Sequence, residues 1–234
     1  MRDYNATLMR LIDMGENEIL LPFEQSVETE TPPETVRQIP VDKAGIMEEL
    51  VRGIDGCTKC ELCKTRNKIV SGMGDPDANI VFVGEAPGAE EDKTGVPFVG
   101  RAGKLLDRIF AAMKLSRERG IYIANILKCR PPGNRDPLPG EVEMCIPYLI
   151  SQLKIIRPNV ICCLGRIAAQ NLLGTSEPLG RLRGKTHYYN IDDDSIPVIV
   201  TYHPAYLLRN SAGKKPVWED MKELLRIAGL PVPL

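Results

Sequence analysis

The sequence predicts an α/β fold, a parallel β-sheet with helices on both faces. Four short apolar runs rich in β-branched residues recur at 80–83, 121–126, 160–164 and 198–202, the pattern of buried parallel strands. Helical segments alternate with these runs, as right-handed crossovers between parallel strands require. The ends of such strands then meet at one edge of the sheet.

The composition indicates one globular domain with an appendage. Of 234 residues, 43% are hydrophobic, enough for a sizeable core. We expect residues 1–40 to form an acidic N-terminal extension, with a short amphipathic helix over 4–21 and a flexible Glu-, Thr- and Pro-rich linker over 24–40. Residues 41–234 form the folded domain. The extension either docks on a partner protein or on its own domain, or is a dispensable tail.

The charge is distributed unevenly along the chain. Residues 1–56 contain 5 Lys and Arg against 12 Asp and Glu, whereas the remainder contains 25 against 19. A basic domain suits a polyanion such as nucleic acid, although a solvated basic surface is the alternative. No apolar run is long enough for a membrane span or a signal peptide. We therefore expect a cytoplasmic monomer whose seven cysteines are not paired as disulfides.

The elements follow in order from residue 42. A helix over 42–54 precedes three closely spaced cysteines, and the first strand ends at Gly84, where glycines flank Pro87 before three consecutive acids. Further helices are predicted over 100–115, 139–156, 165–173 and 217–228, on the spacing of their apolar residues. A small hairpin is predicted over 181–190.

Polar residues stand at the carboxyl ends of the predicted strands. Glu85, Asn125 and His203 follow the first, second and fourth strands, and Gly165 opens a helix after the third. Parallel strands bring these ends together, which is where open α/β sheets bind ligands. The sequence has no phosphate-binding P-loop, paired-histidine metal motif or nucleophile elbow. With two histidines in the chain, a histidine-rich metal site is not expected.

Three segments carry a resemblance to a known family. They are G-E-A-P-G-A-E-E-D-K-T-G-V-P-F-V-G from Gly84, N-I-L-K-C-R-P-P from Asn125, and H-P-A-Y-L-L-R from His203. Together these resemble the iron–sulfur family-4 uracil-DNA glycosylases, from about residue 57 to the C-terminus. The resemblance implies a three-layer αβα fold around a four-stranded parallel sheet, and excision of uracil from single- or double-stranded DNA.

The resemblance also implies roles for individual residues. Ala86, Glu91 and Glu85 would line the uracil pocket, and Phe98 would stack on the base. Asn125 would read the base edge, because its amide offers the donor and the acceptor that complement uracil O4 and N3–H. His203 would donate a hydrogen bond to O2 and stabilise the departing base. The group that activates water stays unassigned, with Glu85 as a candidate.

The last motif should face the DNA. Leu207 or Leu208 could wedge into the space that the extruded base leaves, with Arg209 on a phosphate. Burial of both leucines in the core is the alternative.

The cysteines predict a metal centre. Cys57 and Cys60 form a close pair, and Cys129 and Cys145 lie far downstream; this spacing fits a cuboidal cluster but does not exclude zinc. The resemblance assigns a 4Fe–4S cluster to these four cysteines, with Cys63 as a possible replacement ligand. Cys162 and Cys163 lie in a predicted strand and are expected in the core.

The leading hypothesis is a monofunctional DNA-repair glycosylase that leaves an abasic site. A non-catalytic metal-cluster module that binds nucleic acid is the main alternative. An enzyme acting on free nucleotides would need a phosphate-binding loop, which the sequence lacks.

Overall fold

A computed structural model describes residues 42–233, so the predictions for residues 1–40 lie outside the described part of the chain. Its five longer helices are α1 (Lys43–Ile54), α3 (Arg101–Ala112), α4 (Pro139–Ile156), α5 (Arg166–Leu173) and α8 (Lys214–Ile227). Short helices are α2 (Ala89–Thr94), α6 (Leu179–Leu182) and α7 (Pro204–Leu207), with 3₁₀ turns at Glu61–Lys64, Pro132–Asn134 and Ser211–Gly213. None of the helices in this part of the chain is long and apolar enough to cross a membrane.

The predicted α/β class is confirmed, but the sheet is mixed and has six strands within residues 42–233. They are β1 (Met73–Gly74), β2 (Ile80–Gly84), β3 (Ile121–Asn125), β4 (Val160–Leu164), β5 (Thr186–Ile191) and β6 (Asp194–Thr201), in the order β1-β3-β2-β4-β6-β5. The inner four pair in parallel, and β1 and β5 add antiparallel edges. The prediction of four strands missed the edges because one is two residues long and the other is half exposed.

The predicted hairpin at 181–190 is wrong. Its first residues end α6, and β5 pairs instead with β6 around a turn at Asp192 and Asp193, with Ile191 opposite Asp194. Asp192 adopts a positive φ of 53°, which short polar residues tolerate in turns. The residues that mark the hairpin turn in the sequence are therefore Asp192 and Asp193, and not Gly184.

Two apolar cores cover the two faces of the sheet. Alternate residues of β2 point to opposite faces: Val81 and Val83 pack beneath α1, α4 and α5, whereas Ile80 and Phe82 pack beneath α3 and α8. Cys162 and Cys163 of β4 are fully buried, one in each core. This three-layer packing holds the inner strands in register, so their carboxyl ends form a rigid edge.

Candidate active site

A single cleft of about 460 Å³ lies at the carboxyl edge of the sheet. It contains the predicted catalytic and base-binding residues, which are up to 118 positions apart between Glu85 and His203 in the chain. Those lining the cleft are Glu85, Ala86, Glu91, Phe98, Asn125, His203 and Arg209. The parallel arrangement of β2, β3 and β6 thus places the polar strand ends in one site.

The amide of Asn125 is the polar centre of the cleft. The residue ends β3, is 1% exposed, and its Oδ1 is the one buried side-chain nitrogen or oxygen without a hydrogen-bond partner within the described residues. Gly84 makes room for it, since a Cβ there would overlap Oδ1 and come within 2.7 Å of the Phe98 ring. A buried amide without a partner costs free energy, which a ligand offering a donor would recover.

His203 follows β6 and caps α7. Its Nδ1 accepts a hydrogen bond from the backbone N–H of Ala205 at 3.1 Å, which assigns the ring proton of the neutral tautomer to Nε2. Burial lowers the pKa of His203 to about 4; the Glu91 carboxylate opposes this shift and Arg209 adds to it. At neutral pH the imidazole is therefore uncharged and its Nε2–H is free to donate within the cleft.

Phe98 forms one wall of the cleft, with its ring centroid 5.7 Å from that of His203. It has a positive φ of 54°, a strained conformation for an aromatic residue. Two side chains hold the loop in place: Glu91 Oε1 accepts from the N–H groups of Val99 and Gly100, both at 2.9 Å, and Arg117 donates to the carbonyls of Pro97 and Phe98. Glu91 thus positions the aromatic wall as well as lining the cleft.

Glu85 directly follows β2 and is half-buried in the cleft. Burial raises the pKa of Glu85 to about 7; the nearby Asp136 carboxylate adds to this rise and Arg166 opposes it. Asp136 itself pairs with Arg166 at 2.6 Å. Sequence reasoning missed this partner pair, because nothing in the spacing places residues 136 and 166 beside Glu85. A carboxyl group that changes protonation near neutral pH can act as a general base.

The predicted DNA-facing segment divides into a buried and an exposed part. Leu207 is 3% exposed and packs in the core beneath α3 and α8, so the prediction that it could act as a wedge is wrong. The turn of α7 points its last residue inward, and the next residue, Leu208, is 39% exposed. Arg209 lines the cleft, whereas Leu207 and Leu208 do not.

A basic surface beside Leu208 was also missed by sequence reasoning. Arg101, Lys104 and Arg108 lie on α3 and, with Leu208, line a shallow depression of about 410 Å³. All three are exposed, and none forms an ion pair within the described residues. Their spacing at i, i+3 and i+7 puts them on one helical face, a signal that the sequence already contained.

The four predicted metal ligands surround one small cavity. Cys57, Cys60, Cys129 and Cys145 all line it, and Cys63 does not. No three His, Cys, Asp or Glu side chains of the described residues lie close enough together to hold a single metal ion.

Polar groups surround these thiols. Arg66 donates to Cys129 Sγ at 3.4 Å, the backbone N–H of Lys128 to Cys145 Sγ at 3.2 Å, and the Tyr148 hydroxyl to Cys57 Sγ at 3.4 Å. Donors directed at sulfur are the usual surroundings of cysteine ligands in a metal centre.

The fold and the cleft define an α/β protein with a site at the sheet edge that suits a planar base. The sequence matches the family described as the uracil DNA glycosylase superfamily over residues 71–223. It is 46% identical to the type-4 uracil-DNA glycosylase of Archaeoglobus fulgidus, covering 80% of this chain and 96% of that protein. Identity is 42% with the type-4 enzyme of Thermotoga maritima, covering 76% and 92%, and 39% with that of Sulfurisphaera tokodaii, covering 79% and 86%. The chain belongs to the uracil-DNA glycosylase superfamily and, within it, to the type-4 uracil-DNA glycosylases.

Proposed function

We propose that this protein excises uracil from DNA as a monofunctional glycosylase in base excision repair, hydrolysing the N-glycosidic bond and leaving an abasic site. The observation that carries the proposal is the buried Oδ1 of Asn125, which lies in the cleft with Phe98 and His203 and has no hydrogen-bond partner among residues 42–233. A buried acceptor in a cleft of this kind needs a donor from the ligand, and N3–H of uracil provides one.

Recognition of uracil would use the amide of Asn125. With Oδ1 accepting from N3–H, the amide NH₂ is placed to donate to O4, whereas cytosine presents an acceptor at N3 and a donor at N4. Phe98 would stack on the face of the base, with Ala86 and Glu91 completing the pocket. Rejection of cytosine then follows from leaving a buried acceptor facing another acceptor.

Cleavage would be assisted by His203. As the C1′–N1 bond breaks, its electron pair moves onto the base, and negative charge builds up at O2. The neutral imidazole can donate its Nε2–H to that oxygen without transferring the proton, so uracil leaves as a stabilised anion. The backbone bond from Ala205 keeps the ring in the tautomer that this role requires.

Glu85 is our candidate for the general base. Water would attack C1′ of the oxocarbenium-like sugar, forming a C1′–O bond while its proton passes to the Glu85 carboxylate. The raised pKa supports this role, because a carboxylate of higher basicity accepts a proton more readily. No lysine lines the cleft within the described residues, which favours hydrolysis over a lyase step through an amine.

DNA would be held along the rim of the cleft. Arg209 lies where it could contact a phosphate next to the extruded nucleotide, and Leu208 is exposed beside it. The basic face of α3 continues from Leu208, giving Arg101, Lys104 and Arg108 as further phosphate contacts. Leu208 therefore keeps the proposed role of wedge that Leu207 loses.

We further infer that Cys57, Cys60, Cys129 and Cys145 hold a 4Fe–4S cluster. The four thiols line a common cavity, and one close cysteine pair with two distant cysteines is a ligand spacing that suits a cuboidal cluster. When bound, the cluster would supply a covalent link between the segment before β1 and the loop after β3. Residues 41–234 would form the catalytic domain, and residues 1–40 would be an N-terminal extension that could dock on a protein partner.

The proposed activity is tested by incubating the protein with a labelled oligonucleotide containing one uracil, followed by alkali. Cleavage at uracil, with matched thymine and cytosine strands left intact, is the expected result. An intact uracil strand despite tight binding would favour a non-catalytic nucleic-acid module. Anaerobically purified protein should be brown with about four iron atoms per chain; colourless protein containing zinc would contradict the cluster.

A further inference from the structure

A buried lysine connects the cysteine cavity with residues 125–129, which start at the last residue of β3 and are called here the base-reading loop. Lys128 is 1% exposed, follows Asn125 by three residues and directly precedes Cys129. Its side chain is among the largest fully buried ones of the described residues, and it lines the cavity that the four cysteines surround. The proposed chemistry does not use it.

The ammonium of Lys128 is hydrogen-bonded but not paired with a carboxylate. Its Nζ donates to the carbonyl oxygen of Asn125 at 3.0 Å and to Oε1 of Gln152 at 2.7 Å. Neither acceptor carries a charge, and Lys128 forms no salt bridge within the described residues. A buried ammonium without an opposite charge is strongly unfavourable, so a negative group should lie beside it.

The cysteines are the one source of negative charge that lines this cavity with Lys128. The backbone N–H of Lys128 already donates to Cys145 Sγ. A cubane cluster held by four thiolates carries a net negative charge in its common oxidation states. A bound cluster would therefore supply the negative charge opposite the Lys128 ammonium, which no carboxylate of the described residues supplies.

Lys128 and its partner Gln152 also contact the segment that follows the cysteines. Gln152, which is fully buried, donates from Nε2 to the carbonyl of Ser71 at 2.7 Å and to the Tyr122 hydroxyl at 3.1 Å. The backbone carbonyl of Lys128 accepts from Val70 at 2.8 Å.

On the other side, Ile126 and Leu127 donate to the carbonyls of Gly84 and Glu85 at 2.9 and 3.0 Å. The residues between Asn125 and Cys129 are thus hydrogen-bonded on one side to Val70, which follows the close cysteine pair, and on the other to Gly84 and Glu85 at the end of β2.

We propose that Lys128 is a positioning residue: its ammonium is the buried part of the positive charge that faces the cluster, beside Lys59 and Arg66 at the same cavity, and through the carbonyl of Asn125 it holds the base-reading loop against the cluster. This inference rests on the cluster assignment proposed above. Loss of the cluster would leave the ammonium uncompensated and loosen Asn125, so cluster occupancy and uracil recognition are coupled through one side chain.

The test compares the wild-type holoenzyme with Lys128→Met, which keeps an unbranched apolar side chain as far as Cε but removes the ammonium group. Removing a positive charge beside the cluster should shift its reduction potential to more negative values, as measured by protein-film voltammetry. Displacement of Asn125 should lower the rate constant for uracil excision at least tenfold. Lys154→Met, a partly exposed lysine of the same helix as Gln152, paired with Asp192, should change neither.

A second variant covers the case in which Lys128→Met does not fold. Gln152→Glu keeps the ammonium and its bond to Asn125 but pairs it with a carboxylate, so the potential should again become more negative while excision falls less than in Lys128→Met. If either variant holds its cluster and shows the wild-type reduction potential, the inference about Lys128 is wrong, while the proposed function and the cluster assignment stand. A wild-type protein without iron overturns the cluster assignment, and this inference with it.

Discussion

At the scale of single residues, Asn125 and His203 show why a buried polar group with an open hydrogen-bonding position is a candidate for ligand binding. Asn125 ends β3 and His203 follows β6 by two residues. Among the residues that the structure describes, the amide oxygen of Asn125 has no hydrogen-bond partner and His203 uses only Nδ1, so each has one position open toward the cleft. Such groups are costly in an empty protein and are therefore rare outside sites that bind a ligand.

We predict that Asn125→Ala and His203→Ala lower the rate constant for uracil excision by about 10²- to 10³-fold each, since each removes a hydrogen bond to the base. Single-turnover kinetics on a uracil oligonucleotide measure the loss. Thermal unfolding should show that both variants still fold, because neither side chain supports the core. Wild-type rates in both would remove these assignments.

The pH dependence of excision should follow Glu85. Its pKa is raised to about 7, so the carboxyl is protonated below that pH and cannot accept a proton from water. Excision should therefore rise with pH through about 7 and level off above it. His203 adds no second inflection above pH 5, because its pKa is lowered to about 4. Glu85→Gln should be slow and should lose the inflection, whereas an unchanged profile would exclude Glu85 as the base.

At the scale of elements, the loop from α2 to α3 shows how helix ends build the aromatic wall. The Glu91 carboxylate accepts two backbone N–H groups at the start of α3, which places it where the helix dipole favours negative charge. Gly103 in the first turn of α3 has no space for a side chain, because a Cβ would overlap the Phe98 carbonyl. The strained Phe98 is therefore held by its neighbours.

The basic face of α3 leads to a prediction about DNA affinity. The double variant Arg101→Ala/Arg108→Ala should weaken binding to a uracil oligonucleotide and reduce the slope of log K against log salt by about 2, roughly one for each phosphate that is no longer neutralised. Arg181→Ala/Arg226→Ala removes the same charge from two residues that pair with Glu177 and Glu223, and should leave the slope nearly unchanged. Equal effects in both would show that only net charge matters.

At the scale of the whole molecule, the proposed cluster would connect two distant pairs of cysteines with the edge of the sheet. Cys129 follows β3 and Cys145 lies in α4, whereas Cys57 and Cys60 follow α1. A cluster joining them would cross-link three elements around one core. The link to the base-reading loop is short, since Asn125 and Cys129 are four residues apart.

Removing one ligand should therefore destabilise the domain. We predict that Cys129→Ser loses iron and lowers the unfolding temperature on the order of 10 °C, because binding free energy at such a site contributes to folding. Cys63→Ser is the matched control and should retain both iron and stability, as Cys63 does not line the cavity. Iron analysis and calorimetry distinguish the two variants. Iron loss in Cys63→Ser, with iron retained in Cys129→Ser, would show that Cys63 is a ligand and Cys129 is not.

Deletion of residues 1–40 should leave excision within about twofold of the full chain. Every described residue that lines the cleft lies between positions 85 and 209, and the described core begins at α1. A large loss of activity would assign these residues to the catalytic domain.

Local signals in the sequence determined much of this protein. The apolar runs predicted the four inner strands, helical periodicity predicted α1, α3, α4, α5 and α8, and the polar strand ends predicted the cleft, because these patterns depend on neighbours along the chain. The four cysteines proposed as ligands were predicted from their spacing and from the family resemblance, but their common cavity depends on how α1, β3 and α4 pack. Tertiary structure alone decided that Leu207 is buried, that Asp136 lies beside Glu85, and that Lys128 is enclosed without a carboxylate. Each of these facts rests on contacts between distant segments, whose geometry no local pattern encodes.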